Sequence, residues 1–374
     1  MNGSTCPKGG LLVISGHDFR SPRKAGIHFI TREAKKSFDN ISFFSIGFSN
    51  LSILKGDARV SLAQQSNTWE MYEGVNCYLW KTLLHPVNRT LPFLKGATSA
   101  TYRLYSHLPN AELDAAANGA STIVFEAGLA PIFVERIRKL APKAKFIYIA
   151  SDLLETIGVH QYVIDAHDMA LEEFDLIRIA SRKMEKRYAR VAQKTKYIPH
   201  GQDLGQRDAT KPSPYHDAPN IVSVGSMLFD PTYFAIVAPS FPEVNFHVIG
   251  AGGPVPQMPN ISDYGELPFA DTLPFIKFAQ AGVAPYHGSQ QNAYLADSSL
   301  KLQQYAHFKL PSICPAFAVG DHPNRHGYDP DDPATMISAT RRALGAPTSP
   351  WGQAPIGWDE VARLIFRPVD MSER

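Results

Sequence analysis

Short apolar runs recur along this chain, separated by segments long enough for a helix, and that rhythm restricts the fold more than any other feature. LLVIS at 11–15 and ISFFSI at 41–46 are free of charge and rich in β-branched or aromatic residues, the pattern of strands covered on both faces. Between them, IHFITREAKKSF mixes apolar and basic positions, as expected of a surface helix. STIVFE, KFIYIA and FDLIRIA repeat the strand signal, with helix-like segments at 131–140 and 182–192. Alternation of this kind predicts an α/β protein with an open parallel sheet. NTWEMYEGVNCYLWKT alternates less cleanly, and Gly74 with Asn76 marks a turn suited to an antiparallel excursion.

After YIPHGQD, prolines and polar residues suppress regular structure, which places a linker at 204–219. A second series follows: IVSVGS, NFHVIGAGG, AGVAPY and PSICP, with helical segments around 231–238, 269–279, 298–309 and 333–344. The expected organisation is an N-terminal domain at 1–203, the linker, a C-terminal domain at 220–345, and a tail at 346–374 with Trp351 and Trp358. The tail is expected to pack back on the N-terminal domain. A length of 374 residues suits two such domains. Open α/β sheets bind ligands beyond the C-terminal ends of their strands, so the loops there hold the candidate chemistry.

A formal charge of +2 is too near balance for wholesale nucleic-acid binding. Cys6, Cys77 and Cys314 are too far apart for a disulfide framework or a CxxC site. His17 and Asp18 interrupt the first apolar run before a secretory core forms, and no apolar run is long enough to span a bilayer. Membrane contact would therefore be peripheral. Arg20, Arg23, Lys24, Arg32, Lys35 and Lys36 would meet anionic lipid heads if they shared a surface with Phe29, Ile30 or Phe38, or else form an ordinary charged face.

No GxGxxG follows the first strand, which removes the main support for a dinucleotide site there. GAGG at 250–253 is suited to a phosphate or sugar loop, or to a plain tight turn. In PYHGSQQNAYLADSSLKLQQY, Ser298 and Ser299 can cap a helix whose N–H groups and dipole lie beside Lys301, an arrangement that would hold a phosphate or carboxylate. Gln304 shares roughly that face, and Glu266 and Tyr286 lie in other post-strand loops. Asp152, in YIASDLLET, follows a strand and could cap the next helix or act as a general base toward an acceptor hydroxyl. His17 and Asp18 would border the same sheet edge.

SGHDFRSPRKAGIHFIT, CYLWKTLLHPVN, YIASDLLETI, VSVGSMLFDP, FHVIG, YGE, APY, YLADSSLKLQQY and the HPNRHGYDP region, in this order, closely resemble the GumK-type xanthan-pathway glucuronosyltransferases, glycosyltransferase family 70. The resemblance extends from about residue 11 to 345. It implies a GT-B glycosyltransferase fold, two Rossmann-like domains facing a central cleft, the N-terminal one binding the acceptor and the C-terminal one the nucleotide sugar. It implies an inverting enzyme, needing no metal or other cofactor, that moves glucuronic acid from UDP-glucuronate to a mannose-terminated, polyprenyl-diphosphate-linked oligosaccharide at the cytoplasmic face of the bacterial inner membrane. By matching motif the base falls on Asp152, and the donor site on Met227, Glu266, Tyr286, Leu295, Ser299, Leu300, Lys301 and Gln304. Asp203 and Asp230 match further acidic positions. The family pattern has methionine where this chain has Leu300, an apolar replacement expected to repack modestly. Competing readings are a GT-B enzyme for another UDP-sugar, including an epimerase, and a noncatalytic glycan-binding protein.

Overall fold

The computed structural model describes residues 9–22, 24–54, 56–57, 59–86, 95–202, 211–216, 219–347 and 356–367. Arg23, Asp203, Trp351 and much of the 204–219 linker lie outside them. The described residues within Met1–Ala180, Met184–Ile198 and Asp359–Arg374 form one compact unit, and those within Ser181–Lys183 and Pro199–Trp358 form the other.

The first unit is built on an eight-stranded sheet in the order β3-β4-β2-β1-β5-β6-β7-β8. Its strands are β1 (Gly10–Ser15), β2 (Ile41–Ser49), β3 (Trp69–Tyr72), β4 (Val75–Thr82), β5 (Ala120–Glu126), β6 (Lys145–Ala150), β7 (Leu176–Ile179) and β8 (Thr195–Tyr197). All pairings are parallel except β3–β4, a hairpin whose two turn residues, Glu73 and Gly74, both have positive φ, 48° and 77°. The apolar runs form the core: Leu11–Ile14, Phe43, Phe44, Ile123–Phe125 and Phe146–Ala150 are buried. Because β2 lies on one side of β1 and β5 on the other, the strand order reverses direction between β1 and β5.

The helix expected on the surface after β1 is Gly26–Ala34, and it is mostly buried, with Ile27, Phe29 and Ile30 inside the core. Phe29 and Ile30 are therefore not surface partners for the basic cluster, while Phe38 is half-buried. Arg20 is itself buried, bonded to Asp18 and Glu70. Lys24 donates to the Phe19 carbonyl, and Lys35 to that of Glu73. Arg32 and Lys36 both pair with Glu33. No helix among the described residues is long and apolar enough to cross a membrane.

The second unit has a six-stranded parallel sheet, β11-β10-β9-β12-β13-β14. It comprises β9 (Asn220–Val224), β10 (Asn245–Ile249), β11 (Ile261–Asp263), β12 (Ala281–Val283), β13 (Ser312–Pro315) and β14 (Arg325–Tyr328). Here the order reverses between β9 and β12. Helices Thr232–Val237 and Pro333–Leu344 cover one face, burying Tyr233, Phe234, Met336 and Ala339. Tyr215, from the linker region, packs its ring against His247 and Phe275 and donates to the Phe275 carbonyl. The final helix, Trp358–Phe366, belongs from Asp359 onward to the first unit, where Phe366 meets Phe38 edge to face and Arg367 donates to the Lys36 carbonyl.

Candidate functional site

In the second unit, the loops leaving β9, β10 and β12 converge beyond the strand ends. β9 stops at Gly225 (φ 90°), whose N–H donates to Ile249. Half-buried Met227 follows, and the loop then runs antiparallel to the segment after β12, through Asp230 N to Pro285 O and His287 N to Leu228 O. Asp230 is buried and accepts from Thr232 N, so it fastens this loop to the next helix. The glycines of GAGG have a steric reason: Gly250 and Gly252 have φ of 65° and 70°. A Cβ on Gly252 would stand 2.6 Å from Ser226 Cβ, and one on Gly250 would stand 3.2 Å from the Glu266 carboxylate. Glu266 is exposed over that turn.

Helix Leu300–His307 points its N-terminus into this group of loops. Ser299 is the cap: its Oγ accepts from Leu302 N at 3.1 Å and is 2.5 Å from the hydroxyl of fully buried Tyr286. The neighbouring Ser298 does not share the cap. It ends the preceding short helix, buried, with its hydroxyl unpartnered. Lys301 is only 8% exposed, so it does not project into solvent; its Nζ is 3.2 Å from Gly225 O and 5.3 Å from the Tyr286 ring centre. Tyr305, one turn on, locks the helix to both central strands by donating to Val222 and Val283 carbonyls. Met227, Tyr286, Ser299 and Lys301 are thus brought to one sheet edge, with Glu266 beside it. Leu295 is wholly buried and shapes the chain before the cap, while Leu300 and Gln304 are half-buried on the helix. Backbone N–H groups, a cap and an enclosed ammonium make an anion-binding arrangement.

In the first unit, Asp152 lies half-buried two residues beyond β6. It caps no helix: Leu153 precedes the short turn 154–156, and His160 caps Gln161–Ala170 through Nδ1. Inside the sheet, on β7, sits the fully buried Arg178, whose Nε donates to Ile198 O at 2.7 Å while its two terminal nitrogens have no hydrogen-bond partner. Burial pushes this guanidinium down to about 9, with the charges of Tyr197 and Asp152 pulling it back. Arg178 escaped sequence reasoning because one charge in FDLIRIA looks like an outward-facing strand residue.

Asp18 follows β1 but is not exposed. It is wholly buried and accepts from Nε and Nη2 of Arg20, from the Arg20 backbone N–H and from the Ser45 hydroxyl. That places Asp18 in an internal ion pair, so the His17–Asp18 neighbour pair divides. His17 is half exposed, and its Nε2 is 3.9 Å from an oxygen of buried Glu126, the last residue of β5. Glu126 was legible only as the end of STIVFE. Among the described residues, no three His, Cys, Asp or Glu side chains are grouped to hold a metal ion.

A family model described as glucuronosyltransferase GumK, N-terminal domain, matches residues 13–180. A curated relative, the UDP-glucuronate:glycolipid 2-beta-glucuronosyltransferase of Xanthomonas campestris pv. campestris, is 40% identical over 361 residues, covering 96% of this chain and 89% of the relative. Among solved structures, a UDP-forming alpha,alpha-trehalose-phosphate synthase from Burkholderia xenovorans aligns with TM-score 0.59 and 13% identity, over 91% of this chain and 93% of that one. An E. coli structure described as trehalose-6-phosphate bound with UDP-2-fluoro glucose aligns with TM-score 0.62 and 10% identity, over 96% and 95%. At such identities the likeness concerns the fold alone, which is GT-B.

Proposed function

The chain belongs to the GumK glucuronosyltransferase family, and from that premise we propose that it moves glucuronic acid from UDP-glucuronate to a mannose-terminated, polyprenyl-diphosphate-linked oligosaccharide in exopolysaccharide synthesis. The observation that supports the donor side best is the Ser299-capped helix start with Lys301 enclosed beside Tyr286. As UDP departs, negative charge grows on its diphosphate, and preorganised N–H groups with an ammonium stabilise it without a metal.

The relative's name specifies a 2-β linkage. UDP-glucuronate is an α-glycoside, so a β product requires inversion and a single displacement. The acceptor oxygen bonds to the anomeric carbon, the bond to UDP breaks with its electron pair leaving on the diphosphate, and the acceptor proton passes to the Asp152 carboxylate. Buried Arg178 supports that role by placing a positive charge where it interacts with Asp152. Membrane attachment in this reading is peripheral, at the cytoplasmic face of the inner membrane. Leu83 and Leu84, exposed to 80% and 71%, support it. They precede His85, which bonds Ser49 beside the short helix ending in Leu54, itself 84% exposed.

The test is transfer to a synthetic lipid-linked mannosyl acceptor, read as product mass and anomeric configuration. Asp152→Asn should keep UDP binding and lose about 10²- to 10⁴-fold in turnover, the range of general base catalysis. Near-normal turnover would remove Asp152 from that role, and a change in the donor without an acceptor would indicate an epimerase.

A further inference from the structure

The first unit holds a second constellation that the base and donor assignments leave unused. Glu126 and Ser15 end the adjacent central strands β5 and β1, at the point where strand order reverses and open sheets leave a crevice for ligands. The Ser15 hydroxyl donates to one Glu126 oxygen and accepts from the His17 backbone N–H at 2.8 Å, fixing His17 against the carboxylate. His17 Nε2 is 3.9 Å from the other oxygen, and the imidazole is half exposed. Burial pushes the Glu126 carboxyl up, while His17 and the Ser15 hydroxyl pull it back.

Gly16, which joins Ser15 to His17 in the chain, lines a cavity of about 270 Å³ together with Gly47, Arg59, His85, Tyr102 and Leu129, among others. That is the volume of about nine waters, room for one sugar ring. Arg59 supplies no free charge to it, because its guanidinium donates to Asp57 and to the carbonyls of Gly16, Ile46 and Gly47. The basic side chains lining it are thus already engaged, Arg59 with Asp57 and His85 with the Ser49 hydroxyl. A neutral hydroxylated ring would find the Tyr102 and Leu129 surfaces, and half-exposed His17 is the residue next to the lining Gly16.

We propose that this cavity is the subsite for the terminal sugar of the acceptor, and that His17, positioned by Glu126 and Ser15, hydrogen-bonds one of its hydroxyls. This rests on the glycosyltransferase reading and assigns the acceptor's place within it. The proton lost in transfer still goes to Asp152, and His17 ends each turnover unchanged.

The test combines His17→Gln and Glu126→Gln with two readouts. His17→Gln should raise the acceptor KM by up to about tenfold, the effect of one lost hydrogen bond, and leave the UDP-glucuronate Kd within about twofold. Glu126→Gln should change the same constant in the same direction. Independently of turnover, the imidazole resonance of His17, assigned by its absence from His17→Gln, should shift when an alkyl mannoside is added. A resonance that stays put overturns the proposal, as does an acceptor KM unchanged in His17→Gln. If the wild type transfers nothing but the resonance still moves, the transferase reading fails and the sugar site stands.

Discussion

Replacing Lys301 by methionine keeps the length and most of the volume of the side chain and removes its charge and its hydrogen-bond donors. The ammonium is 8% exposed, 3.2 Å from Gly225 O and 5.3 Å from the Tyr286 ring centre, beside the Ser299 cap. A hydrogen bond to a charged group contributes about 1.5–3 kcal/mol, so losing one to the donor weakens binding about ten- to 150-fold. The fold should tolerate the change. The lost carbonyl bond costs about 1 kcal/mol, offset in part by no longer burying a charge, so the melting temperature should move by no more than about 4 °C. Calorimetric titration with UDP and, separately, UDP-glucuronate reads the effect and also locates it. Equal weakening of both places Lys301 on the diphosphate, whereas weakening of UDP-glucuronate alone places it on the sugar carboxylate. If Lys301→Met bound both ligands within about twofold of the wild type while melting normally, the anion-site reasoning would be wrong.

Other perturbations follow from the same geometry. Arg178→Met should keep or raise the melting temperature, because two guanidinium nitrogens are buried without partners, and should move the acid limb of the pH–rate profile upward by removing a positive charge that interacts with Asp152; a large fall in melting temperature would contradict it. Gly282→Ala should destabilise the second unit by about 1–3 kcal/mol, since the new Cβ would lie 2.6 Å from the Tyr305 ring, and denaturant unfolding measures it. Asp18 gives a pH dependence: burial alone would raise its carboxyl, but Arg20 and Ser45 hold it below the usual 3.8. Its stabilisation is therefore full above about pH 4 and lost as pH falls through the lower folded value, and Asp18→Asn should flatten that part of the acid unfolding curve.

The sheets were legible because buried parallel strands demand uninterrupted apolar runs, and LLVIS, KFIYIA and NFHVI could be little else. What the sequence obscured is decided by partners distant along the chain. Arg20 and Arg32 look alike in a basic cluster, yet only Arg20 finds Asp18 and Glu70 inside the fold. Ser298 and Ser299 look interchangeable as caps, and a one-residue break in the helix chooses Ser299. Glu126 and Arg178 both sit within or at the end of strands whose sides cannot be assigned until neighbours are known, so their burial was invisible. Post-strand loops, by contrast, could be named in advance: Met227, Tyr286 and Asp152 all lie in the loops that follow strands β9, β12 and β6.

The last helix bears on how this protein is made. Residues from Asp359 onward complete the unit that begins with β1, and Phe366 closes over Phe38 from more than three hundred residues away. On a ribosome, where domains generally fold as they emerge, the first unit must wait with that surface open until the whole second unit has been synthesised. A transcript cut short before 359 would release a chain with two folded sheets and an uncovered aromatic patch, a product for quality control and not a smaller enzyme.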